Sequence, residues 1–194
     1  EPRLAEQVRA FSFAGMPAAV RADLPDWLWE MLVADYGEAQ AERIAPAMLN
    51  PAPLDLRVNL ARTSREDARA RLAADGVDAQ PTPYSPAGLR VVGKPAINRH
   101  ALFRDGLIEV QDEGSQVLAL LLGARRGEMV ADYCAGAGGK TLAVAMLMRG
   151  TGRVYAMDVS ARRLAALRPR AARAGVTNVH VIALSGDNDA RARR

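Results

Sequence analysis

The sequence predicts an α/β protein: half of a Rossmann-like parallel sheet, preceded by a small α+β subdomain and a helical lead-in. Three observations predict it. Between Glu128 and Leu184 the apolar pattern runs strand, helix, strand, helix, strand, which is half of a doubly wound sheet. A glycine-rich turn, DYCAGAGGKT at 132–141, joins the first of these strands to its helix. Upstream, residues 54–111 follow a β-α-β-β order with glycines and prolines at the joints. The expected organisation is a lead-in over 1–50, the subdomain over 51–114 and the first half of the sheet domain over 115–194.

The lead-in reads as helical. LPDWLWEMLVADYG sets Asp26 as N-cap, Leu28, Met31, Leu32 and Val33 on one face, and Gly37 as the stop. A second helix runs from Glu38 to Leu49 and halts at Asn50-Pro51. Trp27 and Trp29 are expected in the core or in a seam. Leu54–Asn59 (LDLRVN) alternates apolar and polar residues, the pattern of a half-buried strand. Thr63 with Glu66 forms a capping box for a helix that places Ala68, Leu72 and Ala73 inward and ends at Gly76. Strands follow at Val77–Thr82, Leu89–Val92 and Leu107–Gln111, with a turn rich in proline (Pro81, Pro83, Pro86). This is a small RRM-like unit of a kind often used against RNA.

From Ser115 to Leu122 the period is helical. Glu128–Tyr133 is a short buried strand, Gly139–Arg149 a helix, and Arg153–Asp158 a second strand. Ser160–Ala174 is a second helix, ended by Gly175 and expected to kink or start a new turn at Pro169, and Asn178–Leu184 is a third strand.

Composition narrows the setting. The longest apolar run, Val117–Gly123, is too short to cross a bilayer. A single cysteine, Cys134, rules out an internal disulfide framework and fits a reducing cytoplasm. His100 and His180 have no metal-ligand spacing with Cys134, so no metal is expected. From Arg149 onward ten arginines face three aspartates, against a slight acidic excess before that point. Such an asymmetry suits either a nucleic-acid-facing surface or a solvated basic helix.

The turn separates three ligand classes. A phosphate-binding P-loop needs glycine five positions before Gly139, where Cys134 stands. A dinucleotide fingerprint through Gly136 and Gly138 needs glycine or alanine where Thr141 stands. The remaining class is S-adenosylmethionine, with the turn against its methionine portion and a carboxylate on the ribose hydroxyls. Asp158, at the end of the second strand, can accept two such bonds side by side. A helix-capping role for Asp158 is the competing reading, although Ser160 can cap.

DYCAGAGGKT resembles the C-A-x-P-G-G-K-T signature of the Fmu/Sun/Nop2 (RsmB-like) family of RNA cytosine-C5 methyltransferases. VQDEGSQ (110–116) looks like the segment preceding that family's cofactor domain, and LDLRVN is similar to the strand opening its RNA-binding subdomain. The similarity spans roughly residues 24–183, in order. It implies S-adenosylmethionine contacts from Cys134, Ala135, Gly136, Ala137, Gly138, Gly139 and Lys140, and from Asp158. It also implies a carboxylate near the adenine after the third strand, for which Asp187 is the nearest candidate and Asp189 the next. Ala137 replaces the family's usual proline, which loosens the turn without removing a contact.

The resemblance implies RNA, most often ribosomal, as partner. It also implies two cysteines after a fourth strand, one of them within an Asp-x-Pro-Cys motif, for a chemistry in which a thiolate adds to carbon 6 of the cytosine. Neither lies in these 194 residues, and Cys134 belongs to the turn. The sequence, which opens on Glu1, is therefore expected to be part of a longer enzyme, with no catalytic residue of its own and no activity alone. Two alternatives stay open: a methyltransferase acting on tRNA or protein, and a non-catalytic RNA-binding scaffold.

Overall fold

The computed structural model describes residues 2–186 and 188–192. The chain divides into two compact units, Glu1–Ala52 and Pro53–Arg194.

The first unit holds helices α1 (Pro2–Ala10), α2 (Ala18–Arg21), α3 (Asp26–Tyr36) and α4 (Glu38–Met48). The buried residues described in it are small: Ala19, Ala22, Ala41 and Ala45. The expected cap shifts by one position, because Pro25 occupies the N-cap of α3 and its carbonyl takes the amides of Leu28 and Trp29. Asp26 then opens the first turn, where its charge meets the positive end of the helix. Gly37 ends α3 at φ 77°. No residue of α3 is fully buried; Met31 and Trp27 are exposed, Trp27 at 62%. The core reading of Trp27 therefore fails within this unit. Trp29 is half-buried beside Ala22 and Ala45.

The second unit begins with a four-stranded antiparallel sheet of order β2-β3-β1-β4. Its strands are β1 (Leu54–Val58), β2 (Ala79–Pro81), β3 (Gly88–Val91) and β4 (Ile108–Val110), with α5 (Arg65–Ala74) and the short α6 (Ala101–Arg104) as crossovers. Leu56, Val58, Leu72, Leu89, Leu102 and Ile108 form its core. The cap of α5 is Ser64, whose Oγ accepts the amide of Asp67; the Thr63–Glu66 box does not form, and Ala73 is exposed. His100 caps α6, accepting the amide of Leu102 on Nδ1 at 3.1 Å.

LDLRVN departs from expectation in an informative way. Alternation predicts one wet face, yet Asp55 and Arg57 are as buried as Leu56 and Val58. The polar face of β1 lies under α7 (Glu113–Leu121) and is satisfied by partners rather than by water. Asp55 accepts a bidentate pair from Arg90 at 2.8 and 2.9 Å, and also the amide of Glu113 at 3.2 Å.

The second sheet is parallel, of order β5-β6-β7: β5 (Met129–Asp132), β6 (Arg153–Asp158) and β7 (Val179–Ala183). α8 (Gly139–Leu147) joins the first two strands, and α9 (Ala161–Ala165) with α10 (Leu167–Ala174) joins the second two. The helix expected over 160–174 breaks at Ala166, three residues before Pro169, whose missing N–H cannot bond the carbonyl of Ala165. Helices cover one face of this sheet, where Ala143, Val144, Met148 and Val154 pack together. The other face is open around Met129, Ala131, Tyr155 and Ile182, a cavity of about 450 Å³. β5 is therefore not the buried strand expected; Met129 is 72% exposed.

The two sheets of this unit meet closely. Gly106 sits so near α10 that a Cβ there would lie 1.9 Å from the carbonyl oxygen of Arg173. Asn59 donates from Nδ2 to the carbonyls of Gly106 and Ala174, at 3.1 and 3.0 Å. Among the described residues no helix is long and apolar enough to cross a membrane.

Candidate cofactor site

The site grows from two adjacent strand ends. β5 and β6 run in parallel with Asp132 beside Ala156, so the chain leaves β5 next to the carboxyl end of β6. Crevices outside such ends are where open α/β sheets receive ligands. The turn then folds back on β6: the Ala135 amide donates to the Met157 carbonyl at 2.9 Å, and the Gly138 amide donates to the Ala135 carbonyl at 2.8 Å.

Gly136 and Gly138 take φ of +54° and +85°, the left-handed region that suits glycine. Each is also crowded. A Cβ on Gly138 would lie 2.1 Å from Leu167 Cδ1, and one on Gly136 would lie 2.6 Å from Arg163 Nη2. The first bond of α8 runs from the Leu142 amide to the Gly138 carbonyl. The amides of Gly139, Lys140 and Thr141 therefore have no partner within the helix, at its positive end.

Thr141 points away from that space. It is fully buried, and its hydroxyl donates to Asp132 Oδ2 at 2.7 Å. This hydroxyl, which a P-loop would turn toward a metal ion, is spent on the strand behind it.

Asp158 is buried and does two jobs already. Oδ2 accepts the Gly136 amide and Oδ1 accepts the Ser160 amide, both at 2.8 Å. The Ser160 and Gly136 amides hold its carboxyl below the usual carboxylate range. Each oxygen keeps a second lone-pair direction for a further donor. Ser160 itself caps α9, taking the Arg163 amide on its hydroxyl.

A cavity of about 240 Å³ opens beside the turn, and Cys134, Ala135, Ala137, Gly139 and Lys140 line it. Gln111, Ser115, Asp132 and Arg163 complete its wall. Gly136 and Gly138 are buried in the turn as its bending points, and Asp158 braces it through Gly136. Asp187 lies outside the described residues. Asp189, the other candidate after the third strand, accepts from the Ser185 amide at 2.8 Å and is paired with Arg191.

A set of charged residues that no sequence motif marks lies under the turn. Arg57 reaches from β1 to donate to the Gly139 carbonyl at 2.8 Å and to Gln111 Oε1. Arg170 donates to the Ala137 carbonyl. Glu109 is the cross-strand partner of Arg57; it receives Arg173 on both oxygens at 2.8 Å and lies 3.4 Å from Arg170. Burial lowers the pKa of Arg57 to about 10, against the attraction of Glu109, with Arg170 adding to the fall. The one signal available in the sequence was an arginine in mid-strand, directly between Leu56 and Val58.

VQDEGSQ also has a physical reading. Asp112 caps α7 by accepting the Ser115 amide, and Glu113 accepts the amides of Tyr84 and Ser85 at 2.7 and 2.9 Å. Gln116 accepts from the Ser85 hydroxyl and donates to the Gln111 carbonyl. The segment latches the proline-rich turn of the subdomain to the helix that precedes β5.

Residues 24–98 match the ferredoxin-like domain of RsmF/B-like methyltransferases, and residues 119–192 match 16S rRNA methyltransferase RsmB/F. The chain is 35% identical over 158 residues to the probable ribosomal RNA small subunit methyltransferase B of Synechocystis, covering 81% of this chain and 35% of that protein. A methyltransferase homolog from Pyrococcus horikoshii is 34% identical with a TM-score of 0.79, over 89% of this chain and 56% of that one. NSun6 from Pyrococcus horikoshii shares the fold at 20% identity, with a TM-score of 0.77 over 82% of this chain and 65% of that one. The chain spans about a third of the length of the curated relatives it matches. The first matched segment holds LDLRVN and the second holds DYCAGAGGKT, each in the element described above. The chain belongs to the Fmu/Sun/Nop2 (RsmB/F-like) family of methyltransferases.

Proposed function

We propose that this chain is the RNA-facing and cofactor-holding part of a methyltransferase that transfers a methyl group from S-adenosylmethionine to carbon 5 of a cytosine in ribosomal RNA, in the cytoplasm. The observation that carries the reading is the joint placement of the turn and Asp158 at neighbouring strand ends, with the cavity beside them.

The donor set fits the cofactor. Amides of Gly139 and Lys140 at the start of α8 face no helix partner and suit a carboxylate, such as that of a methionine moiety. Asp158, ionised and braced, offers its remaining lone pairs to vicinal ribose hydroxyls. Cys134, Ala135 and Ala137 give the cavity wall its small contours, and Asp187 is the proposed adenine-side carboxylate. When bound, the cofactor supplies an electrophilic methyl group. The residues of this chain hold and orient it; none is assigned as nucleophile or base, and the chain alone is expected to be inactive.

The NSun6 structure, which shares this fold, is described as a complex with SFG. Calorimetric titration of S-adenosylmethionine tests the reading. Binding that Asp158→Ala weakens by at least about tenfold is expected, from loss of a charge-assisted contact. Affinity unchanged by that substitution would remove Asp158 from the site.

A further inference from the structure

We infer that Arg57, Glu109 and Arg170 are positioning residues through which the ferredoxin-like sheet shapes the cofactor turn. The inference rests on the proposed S-adenosylmethionine site and goes beyond it, because two of the three residues, Arg57 and Glu109, belong to the ferredoxin-like sheet.

The geometry is specific to the turn. Arg57, on β1, holds the Gly139 carbonyl, and Arg170, on α10, holds the Ala137 carbonyl. A trans peptide is planar, so fixing a carbonyl fixes the amide of the next residue in the opposite direction. Arg57 thereby sets the Lys140 amide, one of the unpartnered donors of α8, and Arg170 sets the Gly138 amide that closes the turn on Ala135. Glu109 ties the arginines together electrostatically: it is the cross-strand neighbour of Arg57, whose charge it attracts, it lies 3.4 Å from Arg170, and it takes Arg173 on both oxygens.

A cluster that served only to join the two sheets would need no bond to the turn. Gly106, Asn59 and the Arg173–Glu109 pair already join them. Arg57 is instead kept charged in a buried place, at a cost in desolvation, with its donors on Gly139 and Gln111. Both partners line the cavity.

The test compares S-adenosylmethionine affinity and melting temperature in four proteins: the unaltered chain, Arg57→Met, Glu109→Gln and Leu89→Ala. Leu89 is a fully buried core residue of β3 and serves as a control for destabilisation of the subdomain. Arg57→Met and Glu109→Gln are expected to weaken binding by about fivefold to thirtyfold. Leu89→Ala is expected to lower the melting temperature at least as much with affinity within about twofold. Should Arg57→Met not fold, Glu109→Gln carries the comparison alone. Unchanged affinity in the folded charge variants, or an equal loss in Leu89→Ala, would overturn the positioning role while leaving the cofactor site intact. Absence of binding by the unaltered chain would overturn the cofactor reading, and this inference with it.

Discussion

Asp158 Oδ2 accepts the amide of Gly136 at 2.8 Å, so the last residue of one parallel strand braces the turn that follows its neighbour. The same carboxylate takes the Ser160 amide at the start of the next helix. Capping and ligand binding are thus compatible roles for one side chain, and they separate experimentally. If Asp158 also holds the ribose, Asp158→Ala will remove the preference for S-adenosylmethionine over an analogue lacking the ribose hydroxyls. Retention of the full preference in the variant, measured by calorimetry, would confine Asp158 to bracing.

The pH dependence follows from the same two amides. They depress the folded-state pKa of Asp158, so its contribution is complete above the unfolded value near 4 and is lost as pH falls through the folded value. The gap in melting temperature between the unaltered chain and Asp158→Asn is expected to be constant from about pH 7 to about pH 5. It should shrink below about pH 4. A gap that widens in acid would contradict the assignment.

Two glycine substitutions rank the tight contacts. Gly138→Ala meets the flexible end of Leu167 and a left-handed φ, so a loss of about 1–2 kcal/mol is expected. Gly106→Ala meets the backbone carbonyl of Arg173, which cannot move without parting the two sheets; on the order of 3 kcal/mol is expected. Denaturant unfolding that gives the reverse order would contradict the packing described.

Some arginines of the basic C-terminal segment are already engaged within the fold. Arg170 and Arg173 are committed to Glu109, whereas Arg162 and Arg168 are exposed. RNA binding by this chain is expected to weaken with salt, and Arg162→Gln and Arg168→Gln should each lower the salt slope by about 1. An affinity flat between low and moderate salt would remove this surface from RNA recognition.

The sequence exposed local rules well and distant partners poorly. Periodicity located β6 at its observed ends, and Pro169 marked the break between α9 and α10, because both depend on neighbouring residues. The cap of α5 was misplaced by one residue because Thr63 and Ser64 have the same chemistry and only backbone geometry chooses between them. The polar face of β1 was read as wet because alternation reports which side is apolar, not what covers the other side. Arg57 and Gly139 are 82 residues apart, and Glu109 and Arg173 are 64 apart, so spacing gave no hint of either pair. The glycine-rich turn could be seen in the sequence, and the arginines beneath it could not.

Amide hydrogen exchange with and without S-adenosylmethionine reads the turn itself. Slower exchange at Gly139 and Lys140 on addition of the cofactor, with no comparable change in α5, is the predicted result. Saturating cofactor that leaves residues 134–141 exchanging as before would contradict the claim that this turn holds it.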